Sequence, residues 1–113
     1  MTAMLERGVI APLARRDWGD DAACRTEDVS LFYGSGKVPL TGKAALPGRA
    51  VCSRCPVRRD CLIDAVRKRE FIGMRAGFLG HELRHTLETL GWSVADAVAA
   101  YDAGAFHQPR RRT

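Results

Sequence analysis

The clearest apolar periodicity in the chain lies toward its C-terminal end. Leu83, Leu87 and Leu90 recur at i, i+4 and i+7, which predicts one amphipathic helix over residues 80–90. Gly91 stops it. Ser93 then stands where a cap belongs, ahead of Val94, Ala97, Val98 and Tyr101 on one face of a second helix that ends before Gly104. Helix, glycine-containing turn and helix also form the outline of a helix-turn-helix. The second helix, however, carries Asp96 and Asp102 and no basic or amide side chain to read bases. A helical hairpin folded onto the domain is the preferred reading.

Further upstream, Cys55-Pro56 signals another helix start, because proline at the first helical position costs no hydrogen bond. Helix formers continue to about Glu70, with Arg67, Lys68 and Arg69 where the helix dipole favours cations. This places Cys52 and Cys55 on the loop leading in and Cys61 in the second turn. Asp20-Asp21-Ala22-Ala23-Cys24-Arg25 reads as a short helical or turn segment, with Asp20 or Asp21 as its cap. Residues 34–50 hold four glycines and two prolines and read as a loop, with one helical turn at Ala44-Ala45-Leu46. Gly34-x-Gly36-Lys37 lacks the spacing of a phosphate loop and no strand precedes it. Gly73 and Gly77 bracket a tight turn. The expected fold is all-α: a small helical domain organised around its cysteines, with a C-terminal helical hairpin.

Length allows one domain and one modest core at 113 residues. With 46% hydrophobic residues against 27% charged, the composition is that of a globular chain rather than a disordered one. No apolar run is long enough to span a membrane, and the first fifteen residues lack the apolar stretch of a secretory signal. A cytoplasmic chain keeps its cysteines reduced, which favours ligands over bridges. Charge is uneven: residues 1–36 sum to −2, residues 37–85 to +7, and the remainder to zero, with Arg110, Arg111 and Arg112 adjacent. The sequence pI of 9.4 permits contact with phosphate without requiring it.

The chemistry resides in Cys52-x2-Cys55-x5-Cys61, joined by Cys24, which 27 residues separate from Cys52. Structural zinc usually takes two tight cysteine pairs, and here there is one. Iron–sulfur clusters accept wider and less regular spacings that include C-x2-C. The spacing favours a cluster and leaves zinc, as a structural or DNA-binding module, as the alternative. Arg25, Arg54, Arg58 and Arg59 lie near the cysteines in sequence and can offset thiolate charge. His81, His85 and His107 have no ligand spacing to them. An enzymatic reading rests on thiol–disulfide exchange through Cys52-x2-Cys55, which lacks the βαβ setting of thioredoxin-like motifs.

Taken in order, Trp18-x5-Cys24-Arg25, Leu31-Phe32-Tyr33, Val51-Cys52-x2-Cys55-Pro56-Val57-Arg58-x2-Cys61-Leu62 and the Gly73–Gly77 turn resemble the WhiB-like regulators of actinobacteria and actinophages. The resemblance covers about residues 15–85. It implies a [4Fe-4S] cluster on Cys24, Cys52, Cys55 and Cys61, and transcriptional regulation responsive to redox or nitric oxide, in place of enzyme activity. It also implies partnership with the primary sigma factor of RNA polymerase, as a monomer or as a heterodimer with sigma. Trp18, Phe32, Gly73, Arg75 and Gly77 are the implied partner-binding positions. Arg110, Arg111 and Arg112 are the implied DNA contacts, through phosphate. The main departure is Arg75, where the family carries a tryptophan that fills a dry pocket on the partner, so the sigma contact is expected to be weakened or altered. The expected organisation is a flexible leader over 1–14, the cluster-binding domain over 15–85, a helical extension over 86–107 and a basic tail over 108–113.

Overall fold

The computed structural model describes residues 12–34 and 40–106. Most of the expected leader, His107 and the basic tail Arg110–Arg112 lie outside the described residues. Two 3₁₀ turns, Trp18–Asp21 and Ala23–Thr26, lead to the short helix α1 (Ser30–Tyr33). A third 3₁₀ turn, Gly42–Ala45, runs directly into α2 (Leu46–Ser53). Then come α3 (Arg58–Lys68), the strands β1 (Met74–Arg75) and β2 (Phe78–Leu79), α4 (Gly80–Thr89) and α5 (Val94–Asp102). The chain is mostly helical, but the strictly all-α expectation is corrected by the β1–β2 ladder. Asp20 and Asp21 lie inside the first 3₁₀ turn and cap nothing.

The helical turn expected at Ala44-Ala45-Leu46 is present where the third 3₁₀ turn meets α2, but α2 replaces the last residues, 46–50, of the loop expected over 34–50. Pro47 is the second residue of this helix, where no intrahelical N–H is due, so it starts the helix rather than breaking it. Gly48 permits a close approach: a Cβ there would lie 2.5 Å from the Leu31 carbonyl oxygen, so α1 and α2 meet backbone to backbone. Cys52 therefore sits in the last turn of a helix and not on a loop. α3 begins two residues after the proline signal. Cys55-Pro56-Val57 form a turn closed by the Arg58 N–H on the Cys55 carbonyl (3.3 Å). That helix ends on Arg69 in the left-handed region (φ 54°), with Arg67 and Lys68 in its last turn as expected.

The Gly73–Gly77 turn is a two-residue hairpin with Met74 opposite Leu79 and Arg75 opposite Phe78. Its central residues, Ala76 (φ 56°) and Gly77 (φ 86°), both have the positive φ that a type I′ turn needs. Alanine pays about 1 kcal/mol or more for that conformation. Two arginines from other helices hold the turn in place. Arg58 Nε donates to the Ala76 carbonyl (2.8 Å), and Arg49 Nη1 donates to the Gly77 carbonyl (2.7 Å).

The hairpin divides the core in two. Met74 and Leu79 face a cluster with Phe32, Ala45, Val51 and Cys52. Ala76 and Phe78 join a second cluster with Leu62, Val66, Leu83, Leu87, Ala97 and Phe106. α5 packs on α3, burying Ala97 and Val98, and Ser93 Oγ accepts the Asp96 N–H as the expected cap. This is the hairpin-on-domain reading and not a projecting recognition helix. Residue 85, where the cluster-binding domain is expected to end, falls inside α4, whose Leu83 and Leu87 pack in one cluster with Leu62 and Val66 of α3.

One buried ion pair ties the two halves together. Glu82, almost fully buried in the first turn of α4, accepts both Nη groups of Arg49 from α2 (3.0 and 2.8 Å) and the Leu79 N–H (2.8 Å). Removing one partner of such a pair leaves a buried charge short of its counter-ion, which typically costs about 3 kcal/mol or more. Arg49→Met is therefore expected to lower the unfolding free energy of the loaded protein by about 3 kcal/mol. Urea denaturation followed by circular dichroism measures it.

Candidate metal centre

All four cysteines are unbridged and line one cavity of about 480 Å³. They arrive on different elements. Cys24 is exposed on the second 3₁₀ turn, and Cys52 is buried at the end of α2. Cys55 is half-buried in the turn before α3, and Cys61 is half-buried in the first turns of α3. The Ala23 N–H points at Cys55 Sγ (3.4 Å) and fixes the Cys24 segment against the C-x2-C turn. Trp18, Val29, Phe32, Met74 and Ala76 supply apolar walls, and Arg25, Arg58 and Arg75 supply positive charge.

The thiols influence one another electrically. Burial pushes the Cys52 thiol up to about 11, helped by Cys61, Cys24 and Cys55 and opposed by the Gly77 N–H. Cys24 is also raised, first by burial and then by Cys61 and Cys55. A raised thiol is the reverse of an activated nucleophile, which weighs against disulfide exchange through Cys52-x2-Cys55. A bound cation would relieve the crowding that raises Cys24 and Cys52. Among the described residues, no group of three or more His, Cys, Asp or Glu side chains is placed to hold a metal ion.

The arginines expected to offset the thiolates divide. Arg25 and Arg58 line the cavity, and Arg58 also lies over the Phe78 and Tyr101 rings (5.3 and 5.8 Å). Arg54 turns to Glu27 (3.8 Å) and Arg59 to Asp102 (2.7 Å), both away from the sulfurs. The cation that sequence reasoning assigned elsewhere is Arg75. Its side chain is only 13% exposed, and Nε donates to Cys61 Sγ (3.4 Å). Nη2 meets Asp64 (2.8 Å), Nη1 meets Glu70, and the guanidinium lies over Trp18 (5.8 Å). Burial alone would lower its pKa. The Cys61, Asp64 and Glu70 charges outweigh burial and raise it. No local pattern could have located it, since the two-residue strand that sets Arg75 opposite Phe78 is too short for alternation to show.

The remaining positions implied as partner contacts are placed as follows. Phe32 is 6% exposed and belongs to the core, while Trp18 is half-buried at the rim of the cavity. Gly73 lies against the Tyr33 ring, where a Cβ would come within 2.5 Å. Gly77 lies beside Cys52, where a Cβ would be 3.3 Å from the cysteine Cβ. The exposed apolar side chains near them, passed over in the sequence, are Tyr33 and Ile72, the latter 80% exposed.

Comparison with known proteins agrees with this geometry. The family model described as transcription factor WhiB matches residues 18–87, which span all four cysteines, the hairpin and most of α4. The chain belongs to the WhiB family of transcription factors. It is 34% identical over 68 residues to the transcriptional regulator WhiB1 of Mycobacterium tuberculosis, covering 60% of this chain and 81% of that protein. It is 33% identical over 90 residues to the transcriptional regulator WhiD of Streptomyces coelicolor, covering 78% of this chain and 80% of the relative. No helix among the described residues is long and apolar enough to cross a membrane.

A thiol must lose its proton to bind metal, so raised thiols make loading pH-dependent. A free thiol near its ordinary value of about 8.5 stops contributing once the pH passes it. Cys52 stays protonated toward about 11, so it continues to contribute as the pH rises beyond 9. The Zn²⁺ affinity of the reduced, metal-free protein is expected to keep climbing above pH 9, and Cys52→Ser is expected to flatten that limb. Competition against a chromophoric chelator across pH measures both.

Proposed function

We propose that this transcription factor carries a [4Fe-4S] cluster on Cys24, Cys52, Cys55 and Cys61. It acts by joining RNA polymerase through the primary sigma factor, with basic side chains assisting on promoter DNA. The observation that carries the cluster is the shared cavity: four sulfurs from separate segments line it, burial and neighbouring sulfurs raise Cys24 and Cys52, and arginines stand around them. When bound, the cluster supplies a redox- and nitric-oxide-sensitive crosslink. The chain's own residues wall it with Trp18 and Phe32, place Arg58 and Arg75 against its charge, and hold the Gly77 N–H toward Cys52. The raised thiol of Cys52 and the sequence names of both relatives favour regulation over enzyme activity.

Anaerobic purification decides the cofactor. Iron and acid-labile sulfide in equal amounts, about four of each per chain, are expected. Stoichiometric zinc without sulfide in a colourless protein would overturn the cluster in favour of the zinc module. Because ligands from distant segments make metal binding part of folding, Cys24→Ala, Cys55→Ala and Cys61→Ala are each expected to lose the chromophore and much tertiary structure. A Cys61→Ala protein that kept its colour and a cooperative melt would sink the four-cysteine assignment.

For the sigma contact, exposed apolar side chains stand at and near the cavity: Val29 and Tyr33 line it, and Ile72 precedes Gly73, against which the Tyr33 ring lies. Truncating an interface anchor typically costs about 2 kcal/mol, or roughly thirtyfold in affinity. Ile72→Asp is expected to weaken binding to a region 4 fragment of the primary sigma factor by that much while leaving the chromophore intact. Unchanged affinity would place the contact elsewhere. Arg110, Arg111 and Arg112 are assigned to phosphate. Deleting them is expected to reduce the slope of log K against log salt by up to about three, at about 0.9 per contact, in the same titration series with promoter DNA present.

A further inference from the structure

The residue that departs from the family pattern is the one most tightly engaged with the sulfurs. A guanidinium is a rigid planar fork whose N–H groups point in fixed directions. In Arg75 each branch has its own holder. Asp64 takes Nη2 at 2.8 Å and Glu70 takes Nη1, which leaves Nε–H aimed at Cys61 Sγ from 3.4 Å. Nη2 also reaches the Cys61 carbonyl (3.4 Å), and the Trp18 ring covers the guanidinium face at 5.8 Å. The strand beneath it is held through the turn by Arg58 and Arg49. Nothing in this arrangement lets the side chain swing outward to a partner.

The charges around it nearly cancel. Arg75 and Lys68 are positive, Asp64 and Glu70 are negative, and Asp64 is shared between the two cations (2.8 and 3.1 Å). With the long-range field small, what remains at the sulfur is the directed N–H dipole. Hydrogen bonds to ligand sulfurs are among the factors that set the potential of an iron–sulfur centre, because they favour its more negative state.

We propose that Arg75 is a positioning residue for the four-sulfur centre: held by Asp64 and Glu70, its Nε–H raises the centre's reduction potential and slows its oxidative loss. The inference rests on the cluster reading above. The step concerned adds one electron, supplied by dithionite, to a centre that four thiolates make doubly negative. No bond forms or breaks, and the added charge on sulfur strengthens the N–H···S contact. Arg75→Met removes charge and donor together. Arg75→Lys keeps the charge but lacks the fork. Asp64→Asn keeps the arginine and loosens its aim.

The test is a mediated redox titration of each loaded protein without oxygen, followed by the visible absorbance, with decay of the chromophore in air as the second readout. Arg75→Met is expected to be about tenfold less reduced than the parent protein at a given ambient potential, which is about 59 mV for a one-electron couple. Arg75→Lys is expected to behave nearly as Arg75→Met, with Asp64→Asn between them and the parent. All three are expected to bleach faster in air. A residue that merely stabilised the fold would change the melting of the loaded protein and leave the potential where it was. A potential within twofold of the parent in all three variants, expressed as the same reduced fraction, overturns the inference. A lysine variant that fully restores the parent value also overturns it, because charge alone would then suffice. Should the methionine variant fail to hold its cluster, Arg75→Lys and Asp64→Asn carry the same test. A parent protein with no iron would overturn the cluster reading and this inference together, whereas a cluster indifferent to Arg75 overturns this inference alone.

Discussion

Four thiols share one cavity, and its burial pushes two of them, Cys52 and Cys24, up, with neighbouring sulfurs adding to the effect. Each raised thiol costs free energy to deprotonate, and the walls that raise them, Phe32, Val51 and Met74, are apolar. Counter-charge has to be delivered from within the chain. It comes from Arg25 beside Cys24, Arg58 at the start of α3, and Arg75 on the strand facing that helix. Each of these arginines is itself tied to backbone or to acids, so its charge stays aimed at the sulfurs.

The small hairpin is the joint that makes this possible. Its two faces belong to different cores, with Met74 and Leu79 on the Cys52 side and Phe78 on the α3 side. A ladder of two residues per strand has little stability of its own. It persists because Arg49 and Arg58 hold its turn carbonyls and because Glu82, at the start of α4, holds Arg49. The same contacts join α4 to the cysteine segments, since α4 provides the carboxylate on which α2 is fixed.

Much of this was legible in the sequence. The leucine repeat gave α4, and Ser93 with Val94, Ala97 and Val98 gave α5, because periodicity and capping are local signals. The cysteine set was readable because ligand spacing survives whatever the backbone between does. The misreadings each have a physical cause. Pro47 and Gly48 look like breakers in a glycine-rich stretch, yet one opens α2 and the other permits its approach to α1. Met74-Arg75 and Phe78-Leu79 are too short for alternation to register. The contacts of Arg75 were not legible either, because Asp64 and Glu70 lie on or just beyond another helix and a pairing of that range leaves no trace in sequence.

The uneven placement of the cysteines along the chain also sets an order of assembly. Cys52, Cys55 and Cys61 fall within ten residues, and closing a loop of that length takes about 10–100 ns. Cys24 must be brought across a far longer segment, and it remains the exposed member of the four. In the proposed centre a three-sulfur half-site would form while the N-terminal segment is still searching, and Cys24, the exposed member, would be the last to join and the first that small oxidants in solvent reach.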